Sequence, residues 1–167
     1  DTSKVTDMRL MFDRCENAEN IDVSGFDTSK VADMESMFQG CKNIRNVDVS
    51  KFDTSNVSSM RMMFGGCENV GDIDVSQFDT SKVTNMYSMF EGCTNLKKVE
   101  LHEKLETIGE RAFFGCSFLD FIVIPDSVKQ IGQDAFTNTD KQFIIQCSFG
   151  SYAEEYARKN KFKYQLV

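Results

Sequence analysis

The chain has 167 residues, and its 26 acidic against 19 basic residues leave a formal net charge of -7. That length suits one domain or two small ones and suffices to bury a sizeable core. The charge argues against a duplex nucleic-acid binder, which needs a basic stripe to neutralise phosphates; the densest basic stretch, Arg158 to Lys163, is short and terminal. An anionic membrane surface is disfavoured for the same reason, and no run approaches the roughly 18 apolar residues of a bilayer span. The single histidine, His102, leaves no His-based metal cluster. No leader with a basic and then an apolar region opens the chain. Asp1-Thr2-Ser3 is already mid-pattern in a repeat, so a longer parent protein is expected.

Asp-Thr-Ser recurs at Asp1, Asp27, Asp53 and Asp79, a period of 26. The period carries Val5, Val31, Val57 and Val83 with it, then two methionines, and then Phe12, Phe38, Phe64 and Phe90. Cys15, Cys41, Cys67 and Cys93 come next, with an asparagine two residues beyond each. A fixed period in this range marks a solenoid, in which each unit packs on its neighbours. Each unit closes on alternating apolar residues, as in Ile73/Val75 and Val99/Leu101, which is strand periodicity. One continuous parallel sheet of at least five strands is expected, four of them centred near Asp22, Asp48, Asp74 and Glu100. In the front half, Val31, Met34, Met37, Phe38 and Cys41 fall on one face of a helix. Thr28 or Ser29 stands as its N-cap, and Gly40, Gly66 and Gly92 stand at left-handed C-terminal positions.

From Leu105 the period shortens to 23, as Gly109/Gly132, Ala112/Ala135 and Phe113/Phe136 show. Gly115 and then Asn138 take the left-handed position. Ser151-Tyr152-Ala153-Glu154 is a capping box that opens a helix running to about Lys159. Phe162, Tyr164 and Leu166 then alternate. The expected organisation is one solenoid over 1–148, with 26-residue repeats over 1–104 and 23-residue repeats over 105–148. Residues 149–167 are expected to cover the last open core face.

The 26-residue unit, FDTSKVTNMYSMFEGCTNLKKVEL, resembles a repeat of bacterial surface proteins. The 23-residue unit, LETIGERAFFGCSFLDFIVIPDSVKQIG, and the ending GSYAEEYARKNKFKY resemble BspA-like leucine-rich-repeat proteins. The resemblance spans essentially the whole chain. It implies an α/β fold: a leucine-rich-repeat-type right-handed solenoid with a parallel sheet on one face and short helices on the other. It also implies a secreted or surface-anchored protein used in adhesion, without enzymatic activity. Arg14 and Ala18 depart from the later repeats and suggest a looser first rung.

Residues at one phase of a solenoid stack about 4.8 Å apart with parallel Cβ vectors. A cysteine column in that arrangement suits buried free thiols better than disulfides, which need facing Cβ atoms, or metal ligation, for which the spacing has no logic. The methionines and phenylalanines read as core. The asparagine column is expected to satisfy turn backbone. The Asp column of the FDTS turns is expected to form Asx turns and to cap helices. No P-loop, G-x-S-x-G, H-E-x-x-H or dinucleotide motif is present, so no catalytic residue and no cofactor is expected.

On the exposed face of the strands, Asp22, Asp48, Asp74 and Glu100 form an acidic strip. It either keeps that face solvated or recognises a basic partner. One rung later the same face carries Phe121 and Val123, and the next strand offers Ile144. Aromatic residues rimmed by charge are what interface hot spots use, so Phe121, Val123, Ile144, Glu100, Asp74 and Asp48 are the candidate partner-binding residues. Packing of the C-terminal unit over them is the competing explanation. The functional expectation is an extracellular module that binds a protein or a glycan. A structural stalk without its own ligand is the alternative.

Overall fold

A repeat that carries one apolar row per turn buries it only by stacking on its copies. The computed structural model of residues 1–167 shows that stack. The strands are β1 (Asp72–Asp74), β2 (Lys98–Glu100), β3 (Thr107–Ile108), β4 (Phe121–Val123), β5 (Gln130–Ile131) and β6 (Ile144–Cys147), followed by helix α1 (Tyr152–Asn160) and β7 (Lys163–Leu166). Every pairing is parallel: β1 with β2, β3 with β5, and β4 with β6, which in turn pairs β7. Isolated parallel bridges extend the pattern toward the N-terminus, Asn20–Asn46 on one side of the solenoid and Asp7–Asp33–Ser59–Asn85 on the other.

Two expectations need correction. The sheet is not continuous, and the first two rungs hold no strand around Asp22 or Asp48. There the only sheet-type pairing is the isolated bridge between Asn20 and Asn46; the Ser24 and Ser50 N–H groups donate to the Asp22 and Asp48 carboxylates, a turn that the third rung shares through Ser76 and Asp74. Nor does the opposite face carry helices. Met34, Ser36, Phe38 and Gly40 donate their N–H groups to Ser59, Arg61, Met63 and Gly65 of the next rung. Between them, Met37, Gln39 and Cys41 donate three residues back, to Met34, Ser36 and Phe38. Alternate donors are thus committed between rungs, so no i to i-4 ladder forms, and the segment is a chain of tight turns. Of 85 backbone hydrogen bonds only 12 lie within helices and strands; turns and inter-rung bonds hold the fold together.

The side-chain phase survives that correction, because successive three-residue turns and a helix share it. Val31, Met34, Met37, Phe38 and Cys41 are all fully buried. The phenylalanines form a continuous stack from Phe12 through Phe38, Phe64, Phe90, Phe113 and Phe136 to Phe143, with ring centroids 5.1–5.5 Å apart. Gly40, Gly66, Gly92, Gly115 and Asn138 have positive φ as expected, and Arg14 shares their position in the first rung. A second left-handed position four residues earlier, at Leu10, Ser36, Met62, Ser88, Arg111 and Asp134, has no signature in residue type.

All six cysteines are free thiols. Cys41, Cys67, Cys93 and Cys116 each donate to the carbonyl of a phenylalanine one rung back, at 3.0–3.1 Å. Burial pushes the Cys41 thiol up to about 11 and that of Cys116 to about 12. Cys15 departs from the expected buried column: it is exposed. Leu10 and Met11 are also exposed, while Leu10, Phe12 and Arg14 keep the inter-rung bonds of the later rungs. The asparagines stack as an amide ladder, Asn95 donating to Asn69 and Asn69 to Asn43. They bond one another rather than the turn backbone.

At the C-terminal end, the Ser151 hydroxyl accepts from the Glu154 N–H, and the Glu154 carboxylate accepts from Gly150. Lys161 ends α1 in the left-handed conformation. Tyr156 and Phe162 pack edge-on against Phe136, and Phe162 also meets Phe143.

Candidate binding face

The exposed face of the strands is built by alternation: Ile73, Val99, Ile122 and Ile145 point into the core, and their neighbours point out. Pairing sets the outward residues in two rows. Asp72 stands opposite Lys98, and Asp74 opposite Glu100. Phe121 stands opposite Ile144, and Ile144 opposite Lys163, while Val123 stands opposite Gln146, and Gln146 opposite Gln165. The structure therefore brings Phe121, Val123 and Ile144 onto one patch. Phe121 and Ile144 are half-buried and Val123 is 48% exposed. The C-terminal unit does not cover them: β7 extends the sheet beside β6. The patch has a polar rim on both sides, Lys98 and Glu100 on one and Lys163, Gln146 and Gln165 on the other.

The acidic strip is less available than its composition suggests. A carboxylate oxygen of Asp22, Asp48 and Asp74 accepts the N–H of Ser24, Ser50 and Ser76. Bonds from those serines, hydroxyl first and then N–H, hold the three carboxyls below their ordinary range. Glu100 forms an ion pair with Lys98 beside it on the strand. Asp74 and Glu100 stand opposite each other in β1 and β2, a sheet separate from that of β4 and β6, whereas Asp48 lies in a rung without a strand. Four exposed aromatics lie outside the six candidate residues: Phe118 at 57%, Phe149 at 82%, Tyr152 at 39% and Tyr164 at 37%. Phe118 occupies the phase of the asparagine ladder, one rung beyond Asn95, and that break in the repeat is its sequence signal.

Ion pairs also run between rungs on the turn face. Arg61 reaches Glu35 at 3.2 Å and lies over the Tyr87 ring; Arg111 pairs Glu91 and lies 3.9 Å from the Phe114 ring centroid. Phe114, half-buried under that guanidinium, lies on the turn face. No group of three or more His, Cys, Asp or Glu residues is arranged to hold a metal ion. No helix is long and apolar enough to cross a membrane.

Stacked turns, parallel ladders and a one-residue-type column at each phase define a leucine-rich-repeat-type solenoid. Residues 6–104 match the family described as Mycoplasma protein of unknown function, DUF285, and the chain belongs to that family. Its fold is similar to that of a leucine-rich repeat protein from Bacteroides ovatus, with 19% identity and a TM-score of 0.57 over 95% of this chain and 44% of that one. A leucine-rich repeat protein of T. pallidum matches with 19% identity and a TM-score of 0.46, over 85% of this chain and 52% of its own. The chain thus spans about half the length of these structures. No curated protein matches it in sequence. The leucine-rich-repeat resemblance read from the repeats is borne out at the level of fold and family.

Proposed function

We propose that the chain is a non-catalytic binding module of a secreted or surface-anchored bacterial protein. It engages a protein or glycan partner through the outward face of β4 and β6. The observation that carries this reading is the apolar patch of Phe121, Val123 and Ile144 on a sheet face that is otherwise charged or polar. Solubility favours polar residues there, and the C-terminal unit leaves the patch open. An apolar centre with a polar rim is the anatomy of an interface. In this reading Asp74 and Glu100 border the contact, Asp48 lies outside its centre, and residues 149–167 cap the solenoid.

The test is binding of the wild-type chain and of Phe121→Ser and Val123→Asp variants to a panel of immobilised host matrix proteins and glycans. The expected result is a ligand whose binding both substitutions weaken by roughly tenfold or more, as loss of interface anchors does. Full binding by both variants would remove the patch from the interface. No binding to any member would favour a stalk, a reading that the uniform rungs and internally bonded carboxylates of 1–104 support.

A further inference from the structure

Where the 26-residue repeats give way to the 23-residue ones, the inter-rung bonding stops on one side of the solenoid. In the earlier rungs the pattern is constant. The carbonyls of Thr6, Ala32 and Ser58 accept the N–H groups of Ala32, Ser58 and Thr84, and the N–H groups of Met8, Met34 and Met60 donate to the carbonyls of Asp33, Ser59 and Asn85. The equivalent groups of the fourth rung, the Thr84 carbonyl and the Met86 N–H, have no such partner. β3, which should supply it, pairs only with β5.

Three further features change at the same place. The Thr2, Thr28 and Thr54 hydroxyls donate to the carbonyls of Asp27, Asp53 and Asp79 in the following rung, whereas the buried Thr80 hydroxyl has no partner. Val31 and Val57, like Met34 and Met60, are fully buried, whereas Val83 and Met86 are partly exposed. A cleft of about 840 Å³ separates the two rungs here, lined by Thr80, Val83, Thr84 and Met86 on one wall and by Lys104 and Thr107 among others on the facing one. The cleft is pinched shut at one end by Gly109, where a Cβ would stand 2.4 Å from the Met86 carbonyl oxygen. The cause is legible in the chain. One more residue separates Leu105 from Gly109 than separates Val83 from Met86, and the extra residue throws the two ladders out of register.

We propose that this junction cleft is a binding site for an extended peptide segment of a partner protein. The fold itself shows the occupant's chemistry, because in the other rungs the same groups receive an apolar residue followed by two small or polar ones: Val31-Ala32-Asp33, Val57-Ser58-Ser59 and Val83-Thr84-Asn85. Such a segment gives the Thr84 carbonyl an N–H, gives the Met86 N–H a carbonyl, and lays its apolar side chain over Val83 and Met86. This is strand addition at an open ladder end. Charge narrows the choice further. Lys104, the one cation lining the cleft, has no ion pair, while the one lining acid, Glu106, is held by Lys129 at 2.7 Å; an acidic peptide is favoured over a basic one.

The probe is the acetylated and amidated hexapeptide Lys-Val-Ala-Asp-Met-Glu, the sequence of residues 30–35. It is titrated into the isotope-labelled whole chain and followed by amide shifts and by calorimetry. Saturable shifts are expected at Thr84, Met86 and Thr107, and slower hydrogen exchange at Met86. N-methylation of the peptide alanine removes the donor to Thr84 and is expected to weaken binding by roughly tenfold, as loss of one backbone hydrogen bond does. Lys104→Glu is expected to weaken it as well, without moving the thermal midpoint. Absence of shifts at millimolar peptide, or equal binding of the N-methylated peptide, overturns the proposal. The readout is confined to the junction, so its outcome is independent of the Phe121 patch.

Discussion

At Gly109 and Gly132, the absence of a single methyl group lets two rungs touch. A Cβ at Gly109 would lie 2.4 Å from the Met86 carbonyl oxygen, and one at Gly132 would lie 2.3 Å from the Glu110 nitrogen. Both obstacles are backbone, so relief requires the rungs to separate. Gly109→Ala and Gly132→Ala are each expected to lower stability by about 2 kcal/mol or more, the scale of overpacking in a closed interior. Gly71→Ala is the control. Nothing lies within 4 Å of its added Cβ, and loss of unfolded-state freedom should leave stability unchanged or raised by about 0.5 kcal/mol. Urea unfolding of the three variants checks the contrast; equal midpoints would contradict the close approach. The recurrence of these glycines at a period of 23 was legible in sequence, but the reason for them was not, because it lies in a neighbouring rung. The same holds for the left-handed Ser36, Met62 and Ser88. Glycine and asparagine announce a positive φ by their type, whereas these side chains adopt it only because the flanking donors are fixed between rungs.

At the scale of the element, the recurring unit is the Asx turn rather than the helix. The spacing of Val31, Met34, Met37, Phe38 and Cys41 named the buried side chains correctly, yet it could not separate a helix from successive three-residue turns. What separates them is the destination of each N–H, which the sequence does not encode locally. The turns themselves were legible. Asp27, Asp53 and Asp79 each accept the N–H two residues on, and serine bonds, hydroxyl first, hold their carboxyls below the ordinary range. Asp7, bonded by the Arg9 side chain and then its N–H, is lowered to about 2. On acidification the unfolded chain therefore takes up protons before the folded one. The stabilisation is fully present above about pH 4, the ordinary aspartate range, and is lost as pH falls through the lower folded values. Urea midpoints should be flat near neutrality and fall steeply below about pH 4. Replacing Asp27, Asp53 and Asp79 by Asn keeps the acceptor oxygen and removes the titration, so the acid limb should become shallower. An unchanged limb would place the acid sensitivity elsewhere.

For the whole molecule, stacking makes neighbouring rungs cover one another's core, and the first and last of these rungs differ in their exposure. In the first rung Leu10, Met11 and Cys15 are exposed, while their counterparts deeper in the stack are largely shielded. The last rung escapes this because α1 and β7 close it. Ala153 and Ala157 are buried, Tyr156 and Phe162 pack against the end of the phenylalanine stack, and β7 pairs along β6. Removal of residues 149–167 should uncover Phe136 and Phe143 and leave β6 as a bare apolar edge, which is a template for association. Because a solenoid transmits stability only between neighbours, the loss should begin at that end. Hydrogen exchange should accelerate first in β6 and β4, while the rungs around Phe38 and Phe64 keep their protection. The truncated chain should also bind a hydrophobic dye and elute as larger species in size-exclusion chromatography. A monomeric truncated chain with unchanged exchange in β6 would show that the last rung stands without its cover.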